Sequence, residues 1–283
     1  MIIKSKHSLS LKHTVLSHGW FQLAPWTWDS NSGVLSRLEL FQDGYLSLIS
    51  CSQINSKSIF VQVPKSDSNF VDENSIKTKV KRWLSLDWNP RPAIQLSNTI
   101  DPDISDFIQA GGGRFLRGSS FYEDCIKTIL TINANWQFTV RMAKDLSEKL
   151  GQGSFPTPSI IKQTGPTVLR NDLRLGFRAE VIFGLTQQLL DRGIITESGI
   201  LKKVDLGFQD MIRFHGLGPY SVHHILMLIH DYEMIPVDSE VASYCKNTLN
   251  IDSMNIQEHF AKWDKYRFLG YKLRRIIDSI QTA

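Results

Sequence analysis

Cysteine is scarce in this chain. Its three residues, Cys51, Cys125 and Cys245, are spread over 283 positions, an odd number at wide spacing that fits neither a disulfide framework nor the clustered ligands of zinc and iron–sulfur sites. A reducing, intracellular setting is expected. No apolar run approaches the roughly 18 residues of a membrane span, and the opening Met1-Ile2-Ile3-Lys4-Ser5-Lys6-His7 leads into no apolar secretory region. No membrane association is expected. Internal repeats and low-complexity tracts are missing as well, which argues against a solenoid or a disordered array. Charge of either sign is in small excess: 32 Lys and Arg against 28 Asp and Glu give +4, a balance compatible with a polyanionic partner without requiring one.

What is present is the composition of a folded protein, 42% hydrophobic, 10% aromatic and 21% charged. The length suits two domains. Strand signals fill residues 34–63: Val34 to Phe41, Tyr45 to Ile49 and Ser58 to Val63, the first two separated by Gln42-Asp43-Gly44, a hairpin cue because glycine accepts the positive φ of the turn. Ahead of them Trp20, Phe21, Pro25, Trp26 and Trp28 form an aromatic cluster that reads first as packing. From Ile76 the period becomes helical, through Val80, Trp83 and Leu84, and Asp87-Trp88-Asn89-Pro90-Arg91-Pro92 ends that helix. Further helices are expected over 121–132, 136–150, 178–192, 207–214, 219–230, 239–249 and near 272–281. The fold class is therefore mainly α with a small β-rich N-terminal domain, divided as residues 1–100 and a helical body over 101–283 with two lobes.

The segment Met211 to Val222 is the most informative. Gly216 and Gly218 flank Leu217, and Pro219 follows in what should be a first helical turn, where its missing N–H costs nothing. This reads as helix, tight hairpin, helix, with Leu217 turned inward to pin the two helices. The backbone N–H groups of Gly216 and Gly218 and the following helix start are suited to a phosphate. A plain connector is the simpler reading of the same residues. Twenty residues beyond Gly218, Met234-Ile235-Pro236-Val237-Asp238-Ser239 precedes another helix, and Asp238 by itself reads as an N-cap.

In that order the hairpin, the apolar helix after it and the Pro-Val-Asp triplet resemble the helix-hairpin-helix, glycine/proline-rich, aspartate superfamily of DNA base-excision glycosylases. The resemblance runs over about Gly113 to Asn250, and includes Leu175-Gly176-Phe177-Arg178-Ala179 as a Gly-aromatic-Arg-Ala element. The segment His18 to Trp26 resembles the additional domain of the alkylpurine (3-methyladenine type II) and oxidised-guanine branches. It implies that Asp238 is the catalytic carboxylate, beside the sugar of a base flipped from the duplex, stabilising oxocarbenium character and orienting water. Capping and catalysis are compatible roles for it.

Members that cleave the strand carry a lysine two residues past the second hairpin glycine. Here that position is Tyr220, a candidate base-pocket residue or a packing one, and no lysine lies between Lys203 and Lys246. The resemblance thus implies a monofunctional glycosylase that uses water, acting on double-stranded DNA with damaged bases as a monomer without cofactor, in cytoplasm and nucleoid or in a nucleus. Alkylated purines are the expected substrates, since an aromatic at position 220 suits electron-deficient bases that leave without covalent help. The alternatives are an oxidised-purine glycosylase or AP lyase of the same superfamily, or a non-catalytic DNA-binding module. Asn133 and Asn135 resemble a turn pushed into the gap left by the flipped base, or else they end one helix and cap the next. Arg178 is a candidate phosphate contact, with His215 and His223 behind it. The four cysteines of the iron–sulfur branch have no counterpart beyond Cys245, so neither a cluster nor another metal is expected.

Overall fold

The computed structural model describes residues 1–41, 44–65, 71–203 and 205–281. Alternation builds its sheet. Along β3 (Val34–Leu40) every second side chain is buried, the signature of a strand with one face on a core. It pairs with β4 (Leu46–Asn55) in the register Leu38↔Leu48; of the turn between them, Asp43 lies outside the described residues. Three strands that complete the sheet are β1 (Ile2–Lys4), β2 (Trp26–Asp29) and β5 (Ser58–Gln62), of which the sequence signals only the last. The order is β1-β5-β4-β3-β2, antiparallel throughout. A short helix α1 (Leu11–Val15) and α2 (Glu73–Trp83) close over the sheet, and Ile76, Val80 and Trp83 pack there with Leu35, Ile49 and Val61.

Proline marks helix starts more often than ends. Pro92 and Pro102 occupy the first turns of α3 (Arg91–Ile100) and α4 (Pro102–Gln109), two helices that the sequence reading leaves out because it takes the proline cluster as a stop. A first-turn N–H has no helical acceptor, so proline removes nothing there. The core changes over near this point: Leu84 belongs with the sheet, while Trp88, Ala93 and Ile104 join the larger helical core.

That core gathers α5 (Phe121–Thr131), α6 (Trp136–Leu150), α7 (Pro158–Asn171, kinked at Gly165-Pro166), α8 (Arg178–Asp191), α9 (Phe208–Met211), α10 (Pro219–Met227), α11 (Ser239–Leu249), α12 (Ile256–His259) and α13 (Arg267–Gln281). The architecture is mainly helical with a small sheet at the N-terminal end. The turn before the hairpin is shorter than the expected 207–214, because the chain leaves the helix at Met211 and Phe214 closes back onto the Met211 carbonyl.

Helix α5 joins the sheet to the helical body through buried charge. Arg37 on β3 grips both oxygens of Glu123 at 3.1 and 3.0 Å, and Lys127 reaches the same carboxylate at 2.7 Å. All three are essentially excluded from solvent, and Arg37 also lies over the ring of Trp26 at 4.6 Å. Burial alone would raise the Glu123 pKa, but Arg37 and Lys127 outweigh it and hold it at about 2. Next to it, Asp124 binds Arg82 and accepts the Gly118 N–H at 2.7 Å, yet burial dominates and its pKa rises to about 6.

Candidate active site

A cleft of about 1240 Å³ opens between the α10 and α11 starts, the C-terminal end of α5, the last helix and the segment 16–21. Asp238 caps α11: its Oδ1 accepts the Val241 N–H at 2.8 Å, leaving Oδ2 to receive a long hydrogen bond from the Tyr220 hydroxyl, 3.4 Å away. Both residues line the cleft. Tyr220 holds its proton tightly, with a pKa raised to about 12 by burial and then by the Asp238 charge, so it faces the carboxylate as a neutral donor.

The hairpin stands at the same opening. Gly216 has φ +83°, a left-handed conformation, and a Cβ there would meet Val181 at 2.5 Å, so a side chain is excluded twice over. Gly218 is the N-cap of α10, with Pro219 at its start. Among the described residues, no hydrogen bond engages the N–H groups of Gly216 and Gly218.

Rings form the wall behind Asp238. His18 stands edge-on to Trp20 at 5.1 Å, Trp20 stacks on His224 at 6.0 Å, and His224 leans on Tyr220 at 5.8 Å. His18 bonds the Leu116 carbonyl through Nε2 at 2.8 Å, while the buried Nε2 of His224 has no partner among the described residues. Burial, and secondarily the Lys272 charge, lowers His224 to a pKa of about 4, so this wall is neutral at physiological pH. Lys272 and Arg275 of α13 complete the lining. The result is a flat-sided aromatic recess with a carboxylate at its edge and bare amides at its mouth, a shape that accepts a planar ring and an attached phosphodiester.

Solved structures share this architecture. The chain aligns over 96% of its length with 97% of a 3-methyladenine DNA glycosylase from Archaeoglobus fulgidus, at TM-score 0.70 and 17% identity. It covers 98% of the Clostridium acetobutylicum 8-oxoguanine glycosylase/lyase in its apo form, at TM-score 0.68 and 17% identity, and 98% of the same enzyme bound to double-stranded DNA with cytosine opposite 8-oxoguanine, at TM-score 0.66 and 16% identity. The fold is the one these DNA glycosylases share. No family model and no curated protein sequence matches the chain.

Within that fold, the residues singled out from sequence separate into those at the cleft and those behind it. Asp238, Tyr220, Gly216, Gly218 and Asn133 line it; Asn133 sits exposed in a left-handed turn at φ +48° just past α5. Asn135 instead caps α6, its side-chain oxygen accepting the Phe138 N–H at 2.8 Å. Leu217 is buried in the core and offers nothing to a ligand. Arg178 is a correction to the phosphate-contact reading. It is 4% exposed and its guanidinium donates to the Ile132 carbonyl, so it fixes the turn that presents Asn133 rather than meeting DNA itself.

Sequence reasoning misses His18, Trp20, His224, Lys272 and Arg275 as parts of one site. The ring cluster around Trp20 is visible as an aromatic run, and Trp20 is indeed packed at 2% exposure, but nothing local places it against a histidine 204 positions later. Lys272 escapes for a similar reason: the search for an amine near the hairpin runs along the chain, whereas this one arrives from another helix.

Proposed function

We propose that this protein is a DNA glycosylase that flips a damaged base into the aromatic recess and hydrolyses its N-glycosidic bond, with Asp238 as the catalytic carboxylate. The observation that carries this reading is the pairing of Asp238 with the hairpin helix through Tyr220, at the edge of a cleft whose mouth bears the unengaged amides of Gly216 and Gly218. A base can be released only once it leaves the stack, and a recess walled by Trp20, His224 and Tyr220 replaces the lost stacking. With the base held there, Asp238 lies where positive charge grows on the deoxyribose and where an attacking water must be oriented. Asn133, on its turn past α5, fills the gap in the duplex. The partner is double-stranded DNA carrying damaged bases, bound by a monomer.

Alkylated purines are the proposed substrates, and base release is by water. An electron-poor alkylpurine stacks well on electron-rich ring faces and leaves readily, and the hairpin position that would carry a covalent amine holds Tyr220. This makes the chemistry that of a 3-methyladenine type II enzyme.

Asp238→Asn tests the assignment cleanly, because asparagine caps a helix as well as aspartate does and the variant should fold and bind duplex as the wild type does. Base release from duplexes carrying alkylated, deaminated or oxidised bases should fall by about 10²-fold or more. If the wild type binds every duplex and releases no base, the protein is a DNA-binding module. Release of oxidised purines alone would replace the substrate class and leave the carboxylate in place.

A further inference from the structure

We propose that Lys272 is an amine nucleophile toward the abasic sugar: delivered into the cleft by α13 in place of a hairpin lysine, it condenses with the C1′ aldehyde left after base release and drives cleavage of the strand on its 3′ side. The inference rests on the reading of the cleft as a glycosylase site and adds a second reaction to it.

Placement comes first. Lys272 lines the same cleft as Asp238, Tyr220 and His224, and its side chain is half-buried. Its neighbours on α13 are both engaged: Arg274 pairs with Asp101 and Asp103 at 3.3 and 3.2 Å, and Arg275 holds Glu240 and the Tyr271 hydroxyl. Among the described residues, no hydrogen bond or ion pair occupies Lys272. The carboxylates nearby are otherwise committed, Glu240 to Arg275 and Asp238 to the Val241 N–H and Tyr220. A lysine placed for structure would claim one of them.

Ionisation agrees with the placement. Burial, then the Arg275 charge, lowers Lys272 to a pKa of about 8, against opposing pulls from Glu240 and Asp238. The groups facing it from α10 and from the segment before β2 add no compensating anion: Tyr220 keeps its proton, and burial keeps His224 and His18 neutral. A useful fraction of the amine is therefore unprotonated near neutrality, where an ordinary lysine is almost wholly ammonium.

The chemistry balances without an oxidant or reductant. The neutral amine adds to C1′ of the ring-opened sugar, and the carbinolamine loses water to give a protonated imine. That cation acidifies C2′, whose proton passes to a carboxylate in the cleft, Asp238 being the one at its edge. The freed electron pair forms the C2′–C3′ double bond as the C3′–O bond breaks, and the 3′ phosphate leaves with the bonding pair. Water then hydrolyses the imine, returning the amine and an unsaturated aldehyde on the 5′ fragment.

Borohydride trapping on a duplex with a preformed abasic site tests this without reference to which base is excised. The wild type should give a covalent adduct, peptide mapping should place it on Lys272, and trapping should rise between pH 6.5 and 8.5 as the amine loses its proton. Lys272→Arg keeps the charge, cannot form the imine and should reduce the adduct to background. Absence of a wild-type adduct overturns the proposal, as does an adduct mapped to another amine; the mapping decides even if the variant folds poorly. Base release is scored separately on lesion duplexes. Release without trapping removes Lys272 and keeps the glycosylase, whereas trapping at Lys272 without release keeps the amine and removes the glycosylase.

Discussion

Gly216 and Gly218 are two positions apart and have opposite requirements. An alanine methyl at Gly216 would collide with Val181 in a left-handed backbone, while at Gly218 nothing lies within 4 Å of the added Cβ. Gly216→Ala should therefore cost about 1–3 kcal/mol of folding stability, as overpacking does. Gly218→Ala should melt like the wild type and yet bind duplex about tenfold more weakly, a loss near 1.4 kcal/mol, because the methyl stands where a phosphate must approach the amide. Denaturant titration and fluorescence anisotropy on both variants check the pair; equal DNA affinity for Gly218→Ala and wild type would remove the hairpin from the interface. At this scale the sequence is legible where one residue does one local thing. Asp238 is readable because capping and cleft geometry both depend on the residues beside it, and Asn135 is readable as a cap for the same reason. Arg178 is not, since its burial is decided by where α5 ends rather than by its own neighbours.

Helix α5 shows why element-level reading loses information. Its apolar positions Phe121, Cys125, Ile129 and Leu130 suggest one buried face, but Glu123, Asp124 and Lys127 are buried too, because β3 supplies Arg37 and α2 supplies Arg82 on the remaining sides. Charge complementarity across elements leaves no trace in a helical period. Removing one partner strands the others, so Glu123→Gln should lose about 3–5 kcal/mol at pH 7. The pH dependence has a definite sign. The Glu123 pKa is depressed from 4.5 to about 2 on folding, so its contribution is complete above pH 4.5 and fades as pH falls through 2. The stability gap between wild type and Glu123→Gln should accordingly be constant above pH 4.5 and close below it in urea melts; a gap that widens on acidification would contradict the network. Asp124, raised to about 6, runs the other way in both proteins and cancels in the comparison. Functionally, the network holds one end of α5 against the sheet while the other end carries Asn133 to the cleft mouth.

For the whole molecule, the broad class was legible, mainly helical with a small sheet first, because alternation and helical spacing are local periodicities. The helices over 91–109 were not, since a proline that starts a helix and one that stops it look alike until the chain direction after it is known. The modest net charge of +4 has a measurable counterpart. Contact with about four phosphates should weaken binding to undamaged duplex about 10²-fold between roughly 50 and 200 mM salt, short of the loss seen for strongly basic binders. An anisotropy series across that range gives the slope, and a slope near zero would exclude a phosphate-dominated interface.

The cleft draws on both distant reaches of the chain, with His18 and Trp20 on one wall and Lys272 and Arg275 on another. During synthesis, the hairpin and the carboxylate therefore leave the ribosome dozens of residues before the amine that shares their cleft. A nascent chain that has already folded α10 and α11 still lacks part of its lining, so the capacity to act on DNA arrives only as translation passes α13. The order of residues along the polypeptide thus works as a timer, withholding a strand-cutting chemistry from any unfinished copy.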